Sequence, residues 1–407
     1  MTNNREPSRR DFLAASAFGF VALARGTNPL GSREARPGRM NRGEAQSDDG
    51  LLYVGTYTDD GRSKGIYLVR MDQGTGKLRV VGSIDAGANP SYLAMHPNGQ
   101  VLYAVNEVDK FDNKPTGGVV AFSIARDTGK LTRLGEQPTE GTGPAYVSVD
   151  RSGRVVLVAN YDGGSVALLP IQTNGSLAPA TSVVKHTGSG PVVDRQSEPH
   201  AHCIVVDPSN RYALAADLGA DRVFVYRLDL DGKSLRRVEG GEAVMHPGAG
   251  PRHIAFYPTA PFVFVANELD STVATLRFDA ERGALTVLGT TSTLPSGWKG
   301  ENNPADIHVA PSGHTVYVSN RGHNSIAVFS VAEGTGVLSL QQTISTGGDT
   351  PRNFTLDPTG RWLLAANQKS DSIVVFVRDE QSGKLTSTRE RIALPSPVCL
   401  RFRAATG

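Results

Sequence analysis

The 407-residue sequence predicts an all-β fold: a seven-bladed β-propeller of four-stranded antiparallel blades, closed by N- and C-terminal strands that share one blade. Three observations predict it. A Gly-x-Leu phrase recurs along the chain, strands ending in an Asx residue recur in step with it, and the two chain ends lack complementary parts of one repeat. The phrase stands at Gly76-Lys77-Leu78, Gly129-Lys130-Leu131, Gly175-Ser176-Leu177, Gly283-Ala284-Leu285, Gly336-Val337-Leu338 and Gly383-Lys384-Leu385, with Gly232-Lys233-Ser234-Leu235 carrying one insertion. A period of roughly 45–60 residues in a β-rich chain marks a propeller or solenoid.

Each repeat reads as four strands. The first begins at Pro90, Pro144, Ala201, Pro251, Pro304 and Pro351 and ends in a turn such as His96-Pro97-Asn98-Gly99 or Asp357-Pro358-Thr359-Gly360, with Pro and Gly at hairpin offsets. The second ends in Asn106, Asn160, Asp217, Asn267, Asn320 and Asn367, whose side chains are expected to bond the backbone of the next turn. The third is an apolar run such as Val119-Val120-Ala121-Phe122 or Ile326-Ala327-Val328-Phe329, and the segment after Gly-x-Leu supplies the fourth. A seventh first strand at residues 397–402 has no second strand after it, and residues 51–57 form a second strand with no first. Together they complete a blade, which removes the edges that an open array would expose.

The ring occupies residues 49–404 as one domain. Ahead of it, Ser8-Arg9-Arg10-Asp11-Phe12-Leu13, an apolar run and Ala22-Leu23-Ala24 predict a twin-arginine signal peptide over residues 1–24. The twin-arginine translocase is then a partner during export, and the mature protein is periplasmic or extracellular. Residues 25–48, rich in Gly, Arg and Asn, read as a disordered linker. A net charge of +2 without a basic run among aromatics excludes a nucleic-acid footprint. A monomer is expected. Cys203 and Cys399 fall at one position of first strands three blades apart, too far for a disulfide, which needs Cα atoms within ~7 Å; both read as buried thiols.

Antiparallel first and second strands bring the start of one and the end of the other to the same mouth of the central channel. Position two of the first strand varies (Ser91, Ala145, His202, Arg252, Ala305, Arg352, Val398), and so does the residue after the Asx column (Glu107, Tyr161, Leu218, Glu268, Arg321, Gln368, and Tyr57 in the closing blade). A column that repeats is a building part; a column that varies is where chemistry is expected. His202, Arg252 and Arg352, with Glu268, Arg321 and Glu107 beside them, place ionisable groups around a narrow channel. Three arginines at one rim suit a carboxylate or phosphate. Inter-blade salt bridges such as Arg252 with Glu268 are the plainer alternative, but they would need neither a histidine pair nor surplus arginine. His200 and His202 could hold a metal if Asp217 or Glu198 supplied a third ligand; they are read instead as catalytic and substrate-binding, with no metal and no cofactor. Asp306, His323 and Gln368 complete the substrate-side set. Residues 298–303, which include Trp298, could form a lid, His308 reads as a packed histidine, and Arg401 is placed away from the rim.

At these residues the chain resembles the seven-bladed propeller lactonases, the family that includes one type of bacterial 6-phosphogluconolactonase and the fungal carboxymuconate lactonising enzyme. The matching phrases are His186-Thr187-Gly188-Ser189-Gly190 with Arg195-Gln196 and Pro199-His200-Ala201-His202; Gly250-Pro251-Arg252-His253 with Asn267-Glu268-Leu269; Asn320-Arg321-Gly322-His323; and Pro351-Arg352-Asn353-Phe354 with Asn367-Gln368. The resemblance covers about residues 50–403. It implies cofactor-free lactone chemistry with His202, Glu268, Arg252 and Arg321 as the working groups. Hydrolysis of an anionic sugar-acid lactone is expected, with Glu268 or His202 as general base and arginines on the oxyanion. No Gly-x-Ser-x-Gly elbow occurs, which argues against a serine nucleophile. The export signal departs from the family, since a phosphorylated sugar lactone of central metabolism is cytoplasmic. The alternatives are a muconate-type lactonising enzyme, which runs the reverse reaction, and a non-catalytic exported scaffold built from YVTN-type repeats.

Overall fold

The computed structural model describes residues 49–403, and its seven sheets follow the repeat. The signal-peptide and linker expectations, residues 1–24 and 25–48, lie outside the described residues. Counting the closing blade as the first, the innermost strands are Pro397–Phe402, Leu93–Met95, Pro144–Val149, Ala201–Val206, Pro251–Phe256, Asn303–Val309 and Pro351–Leu356. In the closing blade Pro397–Phe402 pairs antiparallel with Asp49–Thr56, with Tyr53 opposite Arg401 and Val54 opposite Leu400. The ring is thus latched between its two ends, as predicted. Among the described residues no helix is long and apolar enough to cross a membrane.

The reason for the recurring glycine lies between the blades. Gly76, Gly129, Gly175, Gly283, Gly336 and Gly383 all have φ between +68° and +86°, a region that glycine enters without penalty. Each also packs on the start of the second strand of the preceding blade: a Cβ would lie 2.1 Å from Leu51 at Gly129, 2.6 Å from Val101 at Gly175 and 2.9 Å from Trp362 at Gly76. Tyr53, Tyr103 and Tyr317 donate their hydroxyls to the carbonyls of Gly129, Gly175 and Gly383. The phrase is a docking point repeated around the ring. The Trp362–Gly76 contact, with Trp362 Nε1 donating to Gln73 O at 2.9 Å, applies it across the closure.

Three details differ from the sequence expectation. Most Asx side chains reach the incoming connection: Asn106 Nδ2 donates to Ala86 O and Ala88 O, Asn160 to Thr139 O, Asn320 to Thr293 O and Asn367 to Thr346 O, while Asp217 accepts from Ala220 N of the next turn as expected and Asn267 donates to Thr272 Oγ1 beyond it. Their role is structural, and those that reach the incoming connection tie their blades to the chain arriving from the neighbour. In the second blade the inner strand begins at Leu93 and not Pro90, because a turn at Asn89 (φ +47°) holds the preceding residues off the ladder. In the fourth blade Lys233 (φ +48°) takes up the inserted position. There the outer strand is only Ser234–Arg237, and Ala243–Val244 returns to pair with Arg222–Asp229.

One regularity positions the site. The inner-strand register shifts between Pro144 and Tyr146, Ala201 and Cys203, Pro251 and His253, Pro304 and Ile307, Pro351 and Asn353, and opposite Gly55/Thr56 in the closing blade. The skipped residues include Ala145, His202, Arg252 and Arg352. Position two is therefore a β-bulge in six blades, a device that re-aims a side chain where ladder pairing ends.

Candidate active site

Glu268 is the centre of one wall. Its Oε1 accepts from Arg195 Nη2 at 2.7 Å, while Oε2 lies 2.7 Å from Arg321 Nη2 and 2.9 Å from Arg252 Nε. The Arg252 contact is an ion pair off the hydrogen-bond line, since that Nε has no directed partner. Burial alone would raise the Glu268 pKa, but Arg321, Arg252 and Arg195 outweigh it and hold the carboxyl well below its usual range. Arg252, only 2 % exposed, is brought down to about 10 by burial and by the like charges of Arg321 and Arg352.

The opposite wall is built on Glu107. Tyr57 donates its hydroxyl to both carboxylate oxygens at 3.0 Å, and Ser91 Oγ donates to one of them. Arg352 stands 4.0 Å from Glu107 and lies over the Tyr57 ring at 5.2 Å. It is the mouth arginine that does not touch Glu268. Four arginines thus face two glutamates, an excess of positive charge directed into the channel.

His202 stands beside this cluster, 5 % exposed, with its ring edge-on to Tyr161 (5.2 Å) and His253 (5.3 Å). Its Nδ1 is buried and has no hydrogen-bond partner. Burial, then Arg252, His253 and Arg352, push the imidazole pKa well below its ordinary value, so His202 is neutral. His200 stacks on Tyr161 at 4.5 Å, and its Nδ1 donates to Tyr161 O at 3.1 Å. Among the described residues no three His, Cys, Asp or Glu side chains converge as a metal site.

Arg195 is carried by residues 186–200, which hold a one-turn helix, Val193–Gln196. Asp217 clasps both ends of this segment. Its Oδ2 accepts from His186 Nδ1 at 2.6 Å and its Oδ1 from His200 N at 2.8 Å, while Tyr226 donates to His186 Nε2 at 2.8 Å. Buried Gln196 donates to Leu218 O at 2.8 Å and secures the middle. This explains why the Asx column has Asp in this blade alone: only a carboxylate accepts on both sides. Three acceptor sites of Asp217 are thereby taken, by His186 Nδ1, His200 N and Ala220 N.

Asp306 does not face substrate space. It is 2 % exposed, lies with Ala305 inside the bulge between Pro304 and Ile307, and accepts from His253 Nδ1 (2.8 Å), His308 Nε2 (3.0 Å), Asn353 Nδ2 and Ile307 N (3.0 Å). His308 is packed as expected, edge-on to Phe354 at 4.8 Å. Arg401 also lines the channel. Its Nε donates to Leu93 O, its Nη1 to Leu400 O and its Nη2 to Tyr92 Oη, so all three nitrogens are engaged and one of them holds Tyr92. On the rim, His323 Nδ1 bonds Ser325 Oγ at 2.6 Å and its ring meets Trp298 at 4.5 Å. Asn302 and Asn303 pin the 298–303 stretch to Asn320 and Arg321. Gln368 is half-buried at the same level of the last blade, its backbone amide bonded to Thr350 O. Cys203 and Cys399 are free and buried, and burial pushes the Cys203 thiol up to about 12.

The structure therefore brings together His202, Arg252, Glu268 and Arg321, with Glu107 and Arg352 opposite. It adds Arg195, Tyr57, Tyr161 and His253, which stood in the quoted phrases or columns without an assigned role. Arg195 stood in the Arg195-Gln196 phrase.

Comparison with known proteins gives the family. The family described as Lactonase, 7-bladed beta-propeller, matches residues 51–402. The 6-phosphogluconolactonase of Bacillus subtilis is 39% identical over 350 residues, which cover 86% of this chain and 97% of that protein. The 6-phosphogluconolactonase of Formosa agariphila is 32% identical, covering 86% of this chain and 99% of its own. Among solved structures, the periplasmic gluconolactonase PpgL of Pseudomonas aeruginosa superposes with a TM-score of 0.81 at 35% identity, covering 88% of this chain and 99% of that one. A protein from Lactobacillus plantarum gives 0.80 at 38% identity, over 87% and 99%. With its ring, its signature phrases and its mouth of arginines accounted for, this chain belongs to the seven-bladed β-propeller lactonase family.

Proposed function

We propose that the protein hydrolyses the lactone of a sugar acid at the mouth formed by His202, Arg252, Glu268, Arg321 and Arg352. The observation that carries this reading is a buried, neutral imidazole with an uncommitted Nδ1 beside an excess of arginine. Of the two candidate bases, the contacts favour His202, whose Nδ1 has no hydrogen-bond partner, over Glu268 with its three guanidinium neighbours. A carboxylate held by three guanidinium groups is a poor proton acceptor, so Glu268 anchors the arginines instead. Neutral His202 takes a proton from water as the oxygen attacks the lactone carbonyl. Arg252 and Arg321 stabilise the tetrahedral oxyanion. The acyl–oxygen bond of the ring then breaks, and the imidazolium returns its proton to the ring oxygen, releasing the hydroxy acid. An anionic substrate adds negative charge beside His202 and eases imidazolium formation. Arg352, uncommitted to Glu268, is the arginine placed to hold that anion. A positioned base contributes ~10²–10⁴-fold, and each oxyanion donor ~10²–10³-fold.

Some relatives are named 6-phosphogluconolactonase, and one solved structure is named a periplasmic gluconolactonase. The twin-arginine phrase favours the second, so the proposed place of action is outside the cytoplasmic membrane. The test is a pH-stat panel of sugar-acid lactones with and without a carboxylate or phosphate. Faster opening of the anionic members is expected, together with a ~10²–10³-fold loss of kcat in His202→Ala. A panel in which no lactone opens faster than in buffer removes the lactonase reading. Equal rates for neutral and anionic members remove the anion role of Arg352.

A further inference from the structure

We infer that Asp306 and His253 are positioning residues that orient the Arg252 guanidinium by fixing the tautomer of His253. The geometry allows one proton arrangement. Arg252 Nη1 can only donate, and it lies 3.1 Å from His253 Nε2, so Nε2 must carry a lone pair. A neutral imidazole then has its proton on Nδ1, which donates to Asp306 Oδ1 at 2.8 Å. Arg252 Nη1 also donates to Ala305 O, so both of its protons are directed away from the mouth. That fixes the plane of the fork and leaves the Glu268 side and Nη2 to face the site.

The support extends across six blades. Asp306 Oδ2 accepts from His308 and Asn353, and Asn353 Oδ1 in turn accepts from Leu400 N at 2.7 Å in the closing strand. His253 is held edge-on by the stacked pair Tyr92 and Tyr146, whose centroids are 4.1 Å apart, and Tyr92 is itself bonded by Arg401. His253 is 3 % exposed. It has no route to substrate, and it reaches the site through Arg252 and through its edge-on contact with His202 at 5.3 Å, two paths that the Arg252→Lys background separates.

The kinetic part of this inference rests on the lactonase reading; the spectroscopic part does not. In Asp306→Asn the amide can donate to Nδ1, which would move the imidazole proton to Nε2 and set two donors against each other at Arg252. Long-range ¹H–¹⁵N correlation of the full-length protein, with His253 assigned by its loss in His253→Leu, reads the tautomer directly. The wild type should show protonated Nδ1, and Asp306→Asn protonated Nε2. A wild-type Nε2–H form, or an unchanged tautomer in Asp306→Asn, overturns the inference even if no lactone has been found.

With a lactone in hand, Asp306→Asn and His253→Leu should each lower kcat by ~10²-fold, the scale of a misplaced catalytic group. His253→Gln, whose amide oxygen can accept from Arg252, should recover part of that loss. His308→Gln removes a different Asp306 contact and should remain within about threefold of wild type. In an Arg252→Lys background Asp306→Asn should have little further effect, because the interaction it supports is already gone. Additive losses in that double mutant, or wild-type kcat in His253→Leu, overturn the positioning role. If Asp306→Asn fails to fold, the His253 pair decides the question.

Discussion

Replacing Glu268 by Gln tests whether this residue is a base or an anchor. Glu268 is 4 % exposed and carries three guanidinium contacts within 3 Å. Gln keeps the shape but leaves Arg252 and Arg321 buried against a neutral amide. Breaking a buried pair by removing one partner typically costs about 3–5 kcal/mol. The Arg195 contact adds little, because that side chain is 38% exposed and its charge is screened. At roughly 2–4 °C per kcal/mol for a domain of 150–250 residues, and less for a larger ring, the melting temperature should fall by about 5–10 °C at pH 7. The pH dependence provides the sharper test. The folded-state pKa of Glu268 lies below its ordinary value of 4.5, so its stabilisation is complete above about that pH and is lost as pH falls through the folded pKa. The gap between wild type and Glu268→Gln, measured by calorimetry, should therefore narrow below pH 4.5. Turnover should drop ~10²–10³-fold because the oxyanion donors lose their common support. A variant that melts within a degree of wild type, or a gap that widens in acid, would refute the anchor role.

Other consequences follow from the same structure. Deleting residues 395–407 removes the inner strand of the closing blade, so the ring should lose its cooperative melt as a whole; a truncated protein with wild-type melting temperature would contradict the latch. Changing Arg9 and Arg10 together to Lys should retain the precursor in the cytoplasm, as read by fractionation, and unchanged export would restore a phosphorylated cytoplasmic substrate. Activity should survive exhaustive chelation, since His200 Nδ1 is engaged with Tyr161 O and Asp217 is committed to the 186–200 clasp. Loss that is reversed by one divalent ion would transfer the chemistry to a metal-bound hydroxide.

Much of this was legible in the residues themselves. The ring could be read because the Gly-x-Leu phrase satisfies a local demand, φ > 0, and an inter-blade one, close approach, at the same place in each blade; a residue under two constraints recurs. The mouth columns could be read because residues after the Asx position differ between blades while their backbone role does not. Asp217 shows the limit. As one of six Asx residues it looked like a building part, or like a third metal ligand. Its actual role, clasping the 186–200 segment that carries Arg195, depends on a contact with His186 thirty-one residues away. No local pattern encodes that contact.

His253 was given no role and Asp306 was set on the substrate side, because alternation does not reveal the depth of position three. Strict alternation assigns adjacent residues of a strand to opposite faces. The bulge breaks that rule. With position two skipped in the ladder, Arg252 reaches the rim while His253 still lines the channel beneath it, and the same holds for Arg352 above Asn353 and Ala305 above Asp306. The sequence did carry a signal. Proline opens the inner strand at residues 144, 251, 304, 351 and 397, and within sheets proline is confined to edges, first positions and bulges. Read as bulge markers and not only as strand starts, those prolines place two successive residues per blade on the channel. The functional layer then becomes two tiers deep: an upper tier of charged groups that meet substrate, and a lower tier of tyrosine, histidine, aspartate and asparagine that aims them.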